Sequence, residues 1–179
     1  MKIDIWSMFI KPLWPLWLII ILLKLLTEIL PDLKKMIRIK HKFSKIQQWH
    51  TDNELLYWLK GVKPWEFEEY VSRLYSNLGY KTERIGSGYD GGVDVIIEKD
   101  GIKQYIQCKK YITTTVGVKA IREFYGVLVD HASQSKGIFI TTNIFSSEAV
   151  YFAQGKPIEL IDGQKLVRLI RQLKPNTRW

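Results

Sequence analysis

From residue 51 onward, apolar positions recur with two different periods, and the switches between them mark out successive elements. A short helix is expected over Glu54 to Lys60. Phe67, Val71, Leu74, Tyr75 and Leu78 then recur at the i, i+4, i+7, i+8, i+11 spacing of one buried helix face. Pro64 suits the first turn of that helix and Gly79 its stop. Alternation predicts strands over Tyr80 to Ile85, Val93 to Glu98 and Lys103 to Lys109. The last two are joined through Lys99-Asp100-Gly101, whose Asp-Gly pair favours a tight hairpin. A helix from Val118 to Ala132 precedes the apolar run Gly137 to Thr141, which has the pattern of a buried parallel strand. Ser146 can cap a helix ending before Gly155, with Phe145 and Val150 as its hydrophobic staple. A strand over Ile158 to Ile161 follows, and Asp162 can cap a terminal helix. The order α-β-β-β-α-β-α-β-α describes an α/β fold with a central mixed β-sheet flanked by helices.

The front of the chain has neither period. Pro12 to Leu30 is an almost unbroken apolar run that as a helix would span roughly 28 Å, close to a hydrocarbon core. Trp6, Trp14 and Trp17 cluster at its start, and KKMIRIKHK follows its end, an asymmetry that places the C-terminal side in the cytoplasm. Lys24 and Glu28 interrupt the run four residues apart, a spacing at which they can pair. Leu30-Pro31-Asp32 is a poor signal-peptide cleavage site. The expectation is a single-pass transmembrane helix in the cell inner membrane, with membrane lipid as a partner; the alternative is a buried or interfacial hydrophobic helix. The divisions are residues 1–31 as anchor, 32–60 as basic connector and short helix, and 61–175 as the catalytic domain.

Charge changes this picture little. The formal net charge is +9, but residues 1–50 hold nine basic and three acidic side chains, against eighteen and fifteen in the remainder. The domain itself is therefore only mildly basic, and its chemistry has to be sought in particular residues. The lone Cys108 has no intramolecular disulfide partner, which suits a reducing compartment. His41, His50 and His131 lack ligand spacing, so a zinc site of the usual Cys/His kind is excluded.

Candidate chemistry collects on the hairpin. Alternate residues of a strand share a face, so Tyr105, Gln107 and Lys109 point one way and Ile106 and Cys108 the other. Pairing the two strands can bring Asp94 beside Gln107 and Lys109. A carboxylate, an amide oxygen and the backbone carbonyl of Cys108 are hard ligands suited to Mg²⁺, with Mn²⁺ as substitute. A lysine beside such an ion can orient and help deprotonate a water for attack on a phosphodiester.

The stretches WEFEEYVSRLYSNLGY, SGYDGGVDV, YIQCKKY, GIFITTNIFSSEAVYFA and IELIDGQKL together resemble, in order and spacing, the Mrr catalytic domain of the PD-(D/E)XK nuclease superfamily. The resemblance runs from Pro64 to Leu173 and implies a restriction-endonuclease-like core. It implies Asp94 as a metal ligand, Gln107 as the glutamine form of the acidic ligand, Lys109 as the catalytic lysine and Glu68 as an acidic residue near the metal. It also puts Asp90, Gly91 and Gly92 in a loop that positions phosphate or Asp94. Lys110, Lys119 and Arg122 are candidates for phosphate contacts.

The expected function is a membrane-tethered, Mg²⁺-dependent endonuclease hydrolysing DNA, in restriction or defence against foreign DNA. Nucleases of this superfamily usually cut duplexes as dimers, which implies a homodimer, and target choice is expected from an unidentified partner, self-assembly or membrane location. The alternative is a catalytically silent nucleic-acid-binding or scaffold module, because Gln107 in place of glutamate leaves less negative charge to hold a cation.

Overall fold

The computed structural model describes residues 14–24, 27, 30–31, 33–34, 37, 51–85, 92–131 and 136–173. The chain divides into two units, Met1–Lys42 and Phe43–Trp179. In the first, helix α1 spans Trp14–Lys24, 11 residues, or about 16 Å of helical rise. The span expected over Pro12 to Leu30 is thus not found: among the described residues no helix is long and apolar enough to cross a membrane.

The second unit is built on a five-stranded sheet in the order β1 (Lys81–Arg84), β2 (Val95–Lys99), β3 (Ile102–Lys109), β4 (Lys136–Thr141), β5 (Ile158–Ile161). The first three strands are antiparallel, and β4 and β5 run parallel to β3. This is the mixed sheet that the element order predicts. Asp100 and Gly101 have φ of 55° and 77°, the pair of positive values that a two-residue hairpin turn requires. That turn sets Lys99 opposite Ile102 and, five steps along, Val95 opposite Ile106.

Helices cover both faces. Alternation puts Val95, Ile97 and Ile106 on one face, all fully buried, where α2 (Asp52–Gly61), α3 (Pro64–Asn77) and α6 (Gly163–Arg171) lie. Phe139, Ile158 and Leu160 point to the other face and meet Ile121, Phe124 and Leu128 of α4 (Val118–His131) and Ala149 and Ala153 of α5 (Ser147–Ala153). Ser146 and Asp162 cap α5 and α6, accepting from the amides of Ala149 and Lys165, in the roles their positions predict. Helix α2 packs into this core through Leu55 and Leu59, both fully buried.

Candidate active site at the open end of the hairpin

Asp94 sits one residue before β2 and is held on three sides. Its amide donates to the Ile106 carbonyl at 2.8 Å, and its carbonyl accepts from the Ile85 amide at 3.0 Å. Its Oδ2 accepts from the Cys108 amide at 2.6 Å. The carboxylate therefore takes the place of the next ladder partner, where the β2–β3 pairing ends. The N–H and C=O of a strand residue leave on the same edge, so the Cys108 carbonyl faces the Asp94 side too.

Gln107 and Lys109 lie on one face of β3, opposite Phe139 and Thr141 of β4. Gln107 is 8% exposed, and its Oε1 is buried with no hydrogen-bond partner among the described residues. A buried acceptor left without a donor costs on the order of 1–3 kcal/mol, unless something else completes it. The other end of the same amide packs on Gly92: a Cβ there would lie 2.5 Å from Nε2, and Gly92 has φ of +104°. Gly92 thus acts as a wall for Gln107.

Glu68 comes from α3. Burial, then the charge of Asp94, raises its pKa above the usual carboxylate value, with Arg84 and Lys109 opposing. Asp94 and Lys109 are thus close enough to Glu68 to act on its charge. Arg84, at the end of β1, lies 3.6 Å from Glu68 and 2.8 Å from Glu69, which also pairs with Arg73 at 2.7 Å. Burial alone would raise the Glu69 pKa, but the two guanidinium groups outweigh it and lower it. Arg84 escaped the sequence reading because its partners lie 15 and 16 residues away on another element. The Cys108 thiol is pushed well up, by burial first and then by the charges of Asp94 and Glu68, so it is no thiolate nucleophile.

The remaining candidates are dispersed. Asp90 and Gly91 lie outside the described residues. The Lys110 ammonium donates to the Lys60 carbonyl at 3.0 Å, tying β3 to the end of α2. Lys119 faces Glu123 at 3.9 Å on the exposed side of α4. Arg122 lies over the Phe152 ring, 5.4 Å from its centroid, lining a cleft between α4 and α5 that Asp94 does not line.

A restriction endonuclease family model, Mrr_cat, matches residues 59–170, more than half of the chain. The chain belongs to this family. The type IV methyl-directed restriction enzyme EcoKMrr of Escherichia coli (strain K12) is 37% identical over 127 residues, 66% of this chain and 41% of that enzyme. The chain thus spans less than half the length of that relative. Two solved structures share the Mrr_cat fold seen here. The DNA modification-dependent restriction endonuclease AspBHI has a TM-score of 0.54 at 21% identity, covering 67% of this chain and 35% of its own. The MspJI restriction endonuclease in complex with a 27-mer oligonucleotide has a TM-score of 0.51 at 23% identity, covering 68% and 30%.

Among the described residues of this Mrr_cat domain, no three His, Cys, Asp or Glu side chains gather as a metal site. The oxygens available are instead one carboxylate (Asp94), one amide (Gln107 Oε1) and one main-chain carbonyl (Cys108), with Glu68 close by. That donor set fits a hard divalent cation that keeps several waters, and the orphaned Gln107 oxygen is the group such an ion would satisfy.

Proposed function

We propose that this chain is a divalent-cation-dependent endonuclease that hydrolyses DNA phosphodiester bonds and is tethered to a membrane by its N-terminal apolar segment. The observation that carries the reading is the buried, unpartnered Gln107 Oε1 beside a triply held Asp94, with Lys109 two residues further along the same face. DNA as substrate is supported by the restriction endonuclease family itself, by the DNA modification-dependent AspBHI and by the oligonucleotide bound to MspJI. Asp94, Gln107 and the Cys108 carbonyl would hold Mg²⁺, with Mn²⁺ as substitute, and the ion would supply polarisation of the scissile phosphate.

The chain's own groups do the rest. Lys109 orients the attacking water and offsets the charge that develops on the phosphoryl oxygens. Glu68, its pKa raised by burial and by Asp94, is a stronger base than an ordinary carboxylate and is suited to taking the water's proton. Arg84 holds Glu68 from behind through its own anchorage on Glu69. The fixed geometry of Asp94 matters because a misplacement of about 1 Å can cost on the order of 100-fold in rate.

Plasmid cleavage by the wild type, Asp94→Ala and Lys109→Ala in Mg²⁺ or Mn²⁺ tests the assignment. Each substitution is expected to lower cleavage by roughly 100-fold or more, and chelation to abolish it. Equal activity in all three proteins would refute the site. Absence of cleavage by any of them, with DNA binding retained, would favour a silent binding module.

A further inference from the structure

A second cleft, of about 500 Å³, opens on the other face and at the other end of the sheet, between α3, the closed end of the β2–β3 hairpin, β5 and α6. Gln104 lines it and Lys109 belongs to the candidate active site. The two are five residues apart on β3, about 17 Å, and face opposite sides. Three cations border the cleft, Lys99, Lys165 and Arg168, together with one carboxylate, Glu159.

Two of the cations are held in place by uncharged groups. The Lys99 ammonium lies 5.1 Å from the centre of the Tyr80 ring and donates to the Leu78 carbonyl at 3.5 Å. Lys165 donates to the Leu160 carbonyl at 2.9 Å. Arg168 follows Lys165 by three residues on α6 and is exposed. Among the described residues neither these cations nor Glu159 form an ion pair. Charges of both signs thus border one small cleft without pairing with one another. Tyr75 is close enough to Glu159 to feel its charge and, with burial the larger cause and that charge the second, keeps its phenol proton, so it can donate a hydrogen bond. Tyr80 adds a flat apolar surface.

A ligand complementary to this lining carries an anionic group for the cations and N–H donors on a planar ring for the carboxylate. The volume lies within the ordinary range for small-molecule sites. We propose that the cleft binds a nucleotide, its phosphate against Lys99 and Arg168 and the N–H edge of its base against Glu159. The two carboxylate oxygens match the adjacent N1–H and 2-amino donors of guanine, which makes GMP the leading probe. This site is separate from the nuclease reading and does not depend on it.

Isothermal titration of the full chain with GMP, AMP and inorganic phosphate tests the proposal. GMP is expected to bind at least about tenfold more tightly than phosphate, and Arg168→Ala to weaken it by about tenfold or more. Glu159→Gln should abolish the preference for GMP over AMP while phosphate binding persists. Both residues are exposed, so neither change threatens folding, which a thermal melt verifies. Asp94→Ala should leave the titration unchanged, whatever it does to cleavage. The proposal is overturned by no saturable binding at millimolar nucleotide, by equal affinity for phosphate and GMP, or by binding that survives Arg168→Ala but is lost in Asp94→Ala.

Discussion

Two glycines separate backbone strain from site geometry. Gly92 and Gly101 both have positive φ, +104° and +77°, but a Cβ at Gly92 meets Gln107 Nε2 at 2.5 Å and one at Gly101 meets nothing within 4 Å. Alanine at either position should cost about 1–3 kcal/mol in backbone strain, read by chemical denaturation. Gly92→Ala should also displace the Gln107 amide and lower cleavage by about tenfold or more, while Gly101→Ala leaves cleavage per folded molecule unchanged. Equal activity of the two variants would mean that Gln107 needs no wall. Glu69 gives the residue-scale pH dependence. Its folded-state pKa is lowered from 4.5, so the stabilisation from its pairs with Arg73 and Arg84 is complete above that value and is lost as the pH falls through the folded-state pKa. Glu69→Gln should therefore reduce stability at pH 7 by about 0.5–1 kcal/mol and flatten the loss of stability on acidification below pH 4.5. An unchanged acid limb, measured by urea unfolding across pH 3 to 7, would show that the pairs contribute nothing.

At the scale of elements, local chemistry decides what can be read in advance. The hairpin was legible because Asp-Gly favours a tight turn, but its register was not: the two-residue turn seen in the structure sets it and brings Asp94 next to the Gln107 end of β3. The caps at Ser146 and Asp162 were legible for the same reason, since each acts within three residues. The cap on α2 shows the opposite case. Thr51 lies outside the short helix expected over Glu54 to Lys60, yet its hydroxyl accepts from the Glu54 amide at 3.2 Å and the Glu54 carboxylate accepts from the Thr51 amide at 3.1 Å, a reciprocal capping box. The helix behind it seats Leu55 and Leu59 in the core, which a ten-residue window of polar and apolar letters does not reveal. Thr51→Ala should destabilise the domain by about 1 kcal/mol, seen as a lower denaturation midpoint with an unchanged slope. Contacts of long sequence separation were beyond the pattern altogether. Lys110 is a candidate phosphate contact, and the bond its ammonium also makes to a carbonyl 50 residues earlier leaves no trace in the pattern. Arg84 drew no notice, although it links β1 to two carboxylates of α3.

For the whole molecule, the contrast lies between a domain that buries its apolar residues and a helix that does not. Every residue from Leu16 to Leu23 is more than half exposed in α1, on all sides of the helix. Burying a large apolar side chain is worth about 1.5–3 kcal/mol, so eight of them in water represent a cost of order 10 kcal/mol that a bilayer or an apolar partner removes. The basic residues that follow, Lys34, Lys35, Arg38, Lys40, Lys42 and Lys45, suit the anionic surface of a cytoplasmic leaflet, each adding about 1 kcal/mol near it. Cells expressing the full chain should therefore yield it in the membrane pellet, and the protein should resist extraction with alkaline carbonate and yield to detergent. A chain lacking residues 1–31 should appear in the supernatant with its cleavage activity intact, because every residue of the candidate site lies beyond residue 60. Release of the full chain by carbonate would mean surface attachment through the basic stretch and not insertion. Recovery of both chains in the supernatant would remove the membrane from the function and leave the apolar helix to be covered by protein.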